Sequence, residues 1–175
     1  MKYLALVCCL VCLPLMALAE LPLGEVPKTI TLSGDLGGRL DGTAWSSDEL
    51  RGKIYTLWYV DPDESELNNH ATERLKKEEF PLEQVGSVAI VNMAATWKPN
   101  FAISSVLKDK QEEFPTTIYV KDYDSVLVKE WDLDDDNSDV VAFDQEGRVI
   151  FSKDGKLSDE EVEQLVQAIK DNLPE

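Results

Sequence analysis

The sequence predicts an α/β domain in which a central mixed β-sheet is flanked by helices and preceded by an N-terminal β-hairpin extension. Three observations carry this. Residues Ile54-Tyr55-Thr56-Leu57-Trp58-Tyr59-Val60 are β-branched, aromatic and nearly continuously apolar, as a strand buried on both faces must be. A second apolar run, Ser87 to Val91, follows a segment with helical spacing. The carboxyl end then closes with two short apolar runs joined by a turn and followed by an amphipathic stripe, the pattern of a hairpin and a helix.

Taken in order, Thr29-Ile30-Thr31-Leu32 reads as a short strand, Gly34, Gly37 and Gly38 as a turn, and Arg39-Leu40-Asp41 as a weak return strand. Ser46 to Leu50 reads as one helical turn started by serine. After the central strand, Asp61-Pro62-Asp63-Glu64 predicts a helix start. Asp61 is the expected N-cap, Pro62 fits the first helical position, and Glu64 completes a capping box. Leu67, Ala71 and Leu75 recur every four residues and so share a face of that helix. A further helix is expected from about Asn100, with Ile103, Val106, Leu107 and Lys110 on its inward stripe. Thr116 to Val120 and Val126 to Glu130 read as strands. Val140 to Phe143 and Arg148 to Phe151, joined by Asp144-Gln145-Glu146-Gly147, read as a hairpin. Ser158 to Glu161 is a capping box, and Val162, Leu165, Val166, Ile169 and Leu173 form the stripe of the last helix.

The first residues carry an address. Lys2, an apolar run from Tyr3 to Leu18, and Ala17 and Ala19 form the order of a secretory signal, with cleavage expected between Ala19 and Glu20. Residues 20–175 are then expected as a single domain with no membrane insertion. All three cysteines, Cys8, Cys9 and Cys12, lie in the segment to be removed. A mature chain without a thiol has no disulfide and no sulfur nucleophile. The formal net charge of the whole chain is −17. So acidic a surface repels nucleic acid and anionic membrane and favours basic partners.

Leu50-Arg51-Gly52-Lys53 leading into the first long strand, together with the element order, resembles the thioredoxin-like branch that holds thiol-disulfide reductases of the TlpA type and peroxiredoxins. A closer resemblance is to the YtfJ family of small periplasmic proteins of Gram-negative bacteria. It is carried by Gly24, Val26-Pro27, Trp45-Ser46, Val91-Asn92, Trp131, Gly147-Arg148-Val149, and Lys153-Asp154-Gly155 with Leu157 and Glu160-Glu161-Val162. The resemblance implies a thioredoxin-like fold and a periplasmic location. Counted from Gly52-Lys53, the two positions of a Cys-x-x-Cys pair fall on Glu64 and Leu67, and the cis-proline position falls on Ser138, with Pro115 an ordinary proline before a strand. Both redox hallmarks are replaced, so neither reductase nor peroxidase activity is expected.

Several residues remain as candidates for a site. In a thioredoxin-like fold the acidic stretch 132–139 lies across from the first long helix. Asp61, Asp63 and Glu64 are therefore expected to approach Asp134, Asp136 and Asp139, forming a binding edge with Leu67 and Ser138. The alternating Asp132, Asp134, Asp136 and Asp139 resemble the opening of a calcium loop, because hard cations take several oxygens from a short flexible segment. An EF-hand would require Glu where Phe143 stands. His70, the only histidine, has Glu66 and Glu73 at helical spacing as a weak metal triplet. Trp58 and Trp131 read as core residues in strands. Trp97, in Thr96-Trp97-Lys98-Pro99, is the candidate for an exposed aromatic contact. No catalytic set and no cofactor motif is present. The expected function is a periplasmic, redox-inactive binding or adaptor protein whose partner is a protein or basic peptide. The alternatives are a calcium-binding protein and a non-thiol enzyme using carboxylates at the same edge.

Overall fold

The structure, a computed structural model, describes residues 20–174. The expected export segment, 1–19, lies outside the described residues.

A six-stranded mixed sheet organises the chain. Its strands are β2 (Gly37–Arg39), β4 (Ile54–Val60), β5 (Val85–Asn92), β6 (Thr117–Asp122), β7 (Ser138–Phe143) and β8 (Val149–Lys153), in the order β2-β6-β5-β4-β7-β8. The central strands β4, β5 and β6 are parallel, while β7 runs antiparallel to β4, β8 to β7 and β2 to β6. A separate two-stranded ribbon pairs β1 (Thr31–Leu32) with β3 (Trp45–Ser46).

The period of two along β4 divides the core. Leu57 and Tyr59 face one side, where Leu32, Trp45, Val88, Ile90, Leu127, Trp131, Val141 and Phe143 pack. Ile54 and Trp58 face the other, under α1 (Asn69–Lys76) and α4 (Asp159–Asp171), which contribute Ala71, Val162, Leu165 and Ile169. On the end of the sheet, α2 (Asn100–Glu113) lays Ile103 and Leu107 against Val91 and Met93. Ser158 and Glu161 form the expected capping box of α4. Arg74 of α1 binds Glu163 of α4 through two nitrogens, at 2.6 and 2.9 Å, and also pairs with Glu78. Residues before β1 run along the β8 edge, where the Gly24 N–H donates to the Val149 carbonyl and the Val149 N–H to Glu25.

Four expectations are corrected. The first concerns the N-terminal hairpin. The strand Thr29–Leu32 does not fold back on residues 39–41, because Gly37–Arg39 instead pairs with Val120–Asp122 as the outer strand of the main sheet. Gly37 permits this: at φ 133°, a Cβ there would stand 1.9 Å from the Lys121 carbonyl oxygen. Second, the segment expected as a strand at 126–130 is a helix, α3 (Val126–Trp131). The free edge of β6 is already taken by β2, and the Asp122 carboxylate binds the N–H groups of Leu127 at 3.1 Å and Asp124 at 3.2 Å, turning the chain into a helix that buries Leu127 and Trp131 four residues apart. Trp131 is core as expected, though from a helix.

Third, the helix expected from Asp61 begins only at Asn69. Residues 61–68 form successive tight turns, in which the Glu64 N–H bonds the Asp61 carbonyl and the Leu67 N–H that of Glu64. The Asp61 carboxylate accepts the Asp63 N–H at 2.7 Å, and such local side-chain bonds compete with helix in an acidic stretch. Fourth, Val106 and Lys110 point to solvent, so the buried stripe of α2 reduces to Ile103 and Leu107.

Gly37→Ala is expected to lower stability by about 1–3 kcal/mol, the usual range for forced backbone strain, as read by urea unfolding. Gly42→Ala, also at positive φ but with nothing within 4 Å of the added Cβ, is expected to cost less.

Candidate functional site

The parallel strands stop at one end of the sheet with polar residues: Asp61 directly after β4, Asn92 closing β5 and Asp122 closing β6. Because β7 is antiparallel, its first residues, Ser138 and Asp139, lie at that same end, opposite Val60 and Tyr59. With Asn68 they make six of the eight buried polar side chains among the described residues. In open α/β sheets the carboxyl ends of parallel strands are where ligands bind.

Each of these side chains is held by specific bonds. Asp122 accepts the Tyr59 hydroxyl at 3.2 Å in addition to the N–H groups of Asp124, before α3, and Leu127, on it. Burial, then the Asp122 carboxylate, pushes the Tyr59 phenol above its ordinary range. The Asn92 amide donates to Asp135 Oδ1 at 2.8 Å, and its carbonyl accepts the Ala94 N–H and the Ser125 hydroxyl. Ser125, at a left-handed φ of 47°, also stands 3.2 Å from Asp135 Oδ1. Asn68 ties three segments together. Its Nδ2 reaches Ser138 Oγ at 3.3 Å and the Gly155 carbonyl at 2.9 Å, while its Oδ1 accepts the Leu157 N–H.

The expected meeting of two acidic segments occurs in part. The Asp61 N–H donates to the Asn137 carbonyl at 2.9 Å, and burial, aided by the charges of Asp63, Asp136 and Glu64, raises the Asp61 carboxyl above the usual carboxylate range. Asp63 turns elsewhere, bonding Lys98 Nζ at 2.6 Å and Thr96 Oγ1 at 2.7 Å, which hold its carboxyl below the usual range. Asp139 does not face Asp61. Burial pushes its carboxyl up to about 8, and the charges of Asp154 and Asp134 act in the same direction. Of the two positions expected to correspond to a Cys-x-x-Cys pair, Glu64 is exposed and Leu67 half-buried. Ser138 is buried against Asn68, and Pro115 sits in the turn before β6.

The four candidate carboxylates of loop 132–139 do not converge on one point. Asp132 caps the end of α3 in a left-handed conformation and is exposed, and Asp136 donates its N–H to Asp134 Oδ1. Among the described residues, no group of three or more His, Cys, Asp or Glu side chains is placed to hold a metal ion. The His70 triplet is taken apart. His70 Nε2–H donates to the Leu157 carbonyl at 2.8 Å, and Glu73 pairs with Lys76.

Trp97 stands clear of the fold at 88% exposure, with Phe101, in the first turn of α2, at 79%. Asp63 pins the residues on either side of Trp97, so the Trp97 loop is fastened to the acidic segment. Reading the sequence missed Asn68, Asn92, Asp122, Ser125 and Phe101. The one available signal was the polar residue ending each apolar run, at Asp61, Asn92 and Asp122.

Residues 33–172 match the family described as "Bacterial protein of unknown function (YtfJ_HI0045)". The chain is 32% identical to the Escherichia coli (strain K12) protein named "Uncharacterized protein YtfJ", over 97% of this chain and 96% of that one. The chain belongs to the YtfJ family. Its fold is similar to that of a putative protein disulfide isomerase from Bacteroides thetaiotaomicron, with a TM-score of 0.59 and 20% identity over 91% of this chain and 96% of that chain. It is also similar to that of a putative thioredoxin from Neisseria meningitidis, with a TM-score of 0.58 and 12% identity over 83% and 90%. At such identities the likeness is one of fold, and the fold of this YtfJ family member is thioredoxin-like.

Asn68→Ala is expected to lower stability by about 1–3 kcal/mol, since it leaves the buried Leu157 N–H without its partner. Thermal and urea unfolding read this. A loss no larger than that of an exposed substitution such as Asn69→Ala would remove Asn68 from its role as the tie between segments.

Proposed function

We propose that this chain is an exported, redox-inactive thioredoxin-fold protein that binds a basic periplasmic protein or peptide along its acidic edge. The observation that carries the reading is the placement of the largely exposed Trp97 beside the segment of Asp61, Asp63 and Glu64, through the Asp63 bonds to Thr96 and Lys98, with a second exposed aromatic, Phe101, in the first turn of α2. Aromatic side chains are the usual anchors of interfaces, and a carboxylate rim selects partners of opposite charge and speeds their encounter. The absence of any cysteine beyond Cys12 supports binding over thiol chemistry.

Affinity capture from periplasmic extract with residues 20–175, Trp97→Ala and Glu64→Lys as parallel baits tests this. The wild type is expected to retain a partner that elutes as salt rises, with both variants losing it and Trp97→Ala weakening it by about 2 kcal/mol. An identical captured set for all three baits would sink the reading. The mature chain is also expected to add nothing to insulin reduction by dithiothreitol. A rise in melting temperature with calcium, absent with magnesium and reversed by EDTA, would replace the binding reading with the calcium reading.

A further inference from the structure

Three carboxyl groups from three separate segments meet behind the start of β7. Asp139 lies on β7, Asp134 on the loop leading into it, and Asp154 on the turn between β8 and α4. Asp139 is 1% exposed. Its Oδ1 accepts the Asp134 N–H at 3.4 Å, while its Oδ2 is buried with no hydrogen-bond partner. Asp154 repeats the pattern. Its Oδ1 is buried and unpartnered, and its carboxyl lies within hydrogen-bonding reach of that of Asp134.

An ionised carboxylate accepts hydrogen bonds and donates none, so ionised carboxylates facing one another away from water have nothing to bond with. A proton placed between two of them converts repulsion into an O–H···O⁻ bond. No cation supplies the same relief: among the described residues no Lys or Arg forms an ion pair with Asp134, Asp139 or Asp154. Lys153, next to Asp154 in sequence, is held by Glu20 and Glu161. The other titratable groups bearing on the cluster are Glu20 from the N-terminal segment, whose charge acts on Asp154, and Tyr59 of β4, paired in register with Asp139. From the start of α1 the neighbour is the neutral Asn68, bonded to Ser138 and Gly155.

We propose that Asp134, Asp139 and Asp154 form a proton-operated latch: with the cluster protonated, loop 132–137 is held against β7 and the β8–α4 turn, and loss of the proton releases it.

The acidities run in the required direction. Burial, joined by its two neighbours, pushes the Asp139 carboxyl up to about 8, and burial and Asp134 push Asp154 upward as well. In a released loop these groups meet water and return towards the ordinary aspartate value of about 3.9. The closed form therefore binds more protons than the open form between those limits. Its advantage is complete below the ordinary value and is lost as pH rises towards about 8. Release would free the Asn137 carbonyl from the Asp61 N–H and Asp135 from Asn92, opening the polar end of the sheet. The latch concerns the equilibrium of the loop alone and stands apart from the binding reading.

Amide hydrogen exchange of residues 20–175 between pH 5 and 8, corrected for intrinsic exchange, tests the latch. The amides of Asp61 and Asp134, each bonded between loop 132–137 and a neighbouring segment, are the reporters, and those of Leu57 and Val141 in the sheet centre are the reference. Across that interval the opening constant of the reporters is expected to rise about tenfold per pH unit, with the reference amides unchanged. Asp139→Asn is expected to abolish the slope, because its amide donates where the proton stood. Asp154→Asn, which offers a donor to the Asp134 carboxyl within its reach, is expected to do the same and serves if Asp139→Asn does not fold. A flat wild-type profile overturns the latch. So does a slope shared equally by Leu57 and Val141, or a slope that survives in both variants.

Discussion

The structure depends on β4 being enclosed on every side. It is paired with β5 on one edge and β7 on the other, and both of its faces are covered. Leu57 and Tyr59 commit one face to the side capped by α3 and the β1–β3 ribbon, and Ile54 and Trp58 commit the other to α1 and α4. A strand so enclosed has no room for a polar side chain in mid-length without a partner, and the buried Thr56 finds one in the Gly86 carbonyl, 3.5 Å from its hydroxyl. Polar residues are driven to where the strands end. That is why Asp61, Asn92, Asp122, Ser138 and Asp139 collect in a single buried layer at one end of the sheet.

That layer is tied to the turns that precede α1. Glu64 and Leu67 lie in a run of tight turns, and the helix begins only at Asn69. Asn68 closes this run, and its amide joins the pre-helix turns to Ser138 and to the β8–α4 turn. With no cysteine among residues 20–175, stability rests on the apolar core and on links such as Arg74 to Glu163, which join α1 to α4.

The charge at this edge is less uniform than the acidic composition suggests. Asp63 is neutralised by Lys98 and spends its bonds on fastening the Trp97 loop. Asp132 and Glu64 are exposed to solvent. Asp61 and Asp139 are buried, and burial is the largest influence on both carboxyls. These similar carboxyls thus divide into a fastener, a solvated rim and dry interior groups, according to burial and to the partners within reach.

The sequence by itself determined the strands β4, β5, β7 and β8 and the helices α2 and α4. These elements carry their own signal: continuous apolar runs, and an amphipathic stripe with a capping box. What the sequence could not determine was set by long-range partners. The run 126–131 has the β-branched look of a strand, yet it is a helix because β2 occupies the edge it would need and Asp122 supplies bonds to its first turn. Gly37 to Arg39 becomes a strand only because Lys121 lies close enough to require a residue without a side chain. Asp61 and Pro62 satisfy every local rule for a helix start, but Asp61 instead bonds to Asp63 and Asn137. The tertiary structure alone decided that Asp134, Asp139 and Asp154 would meet, since residues from a loop, a strand and a turn become neighbours only when the sheet has closed, and burial then changes the character of groups that are alike in the unfolded chain.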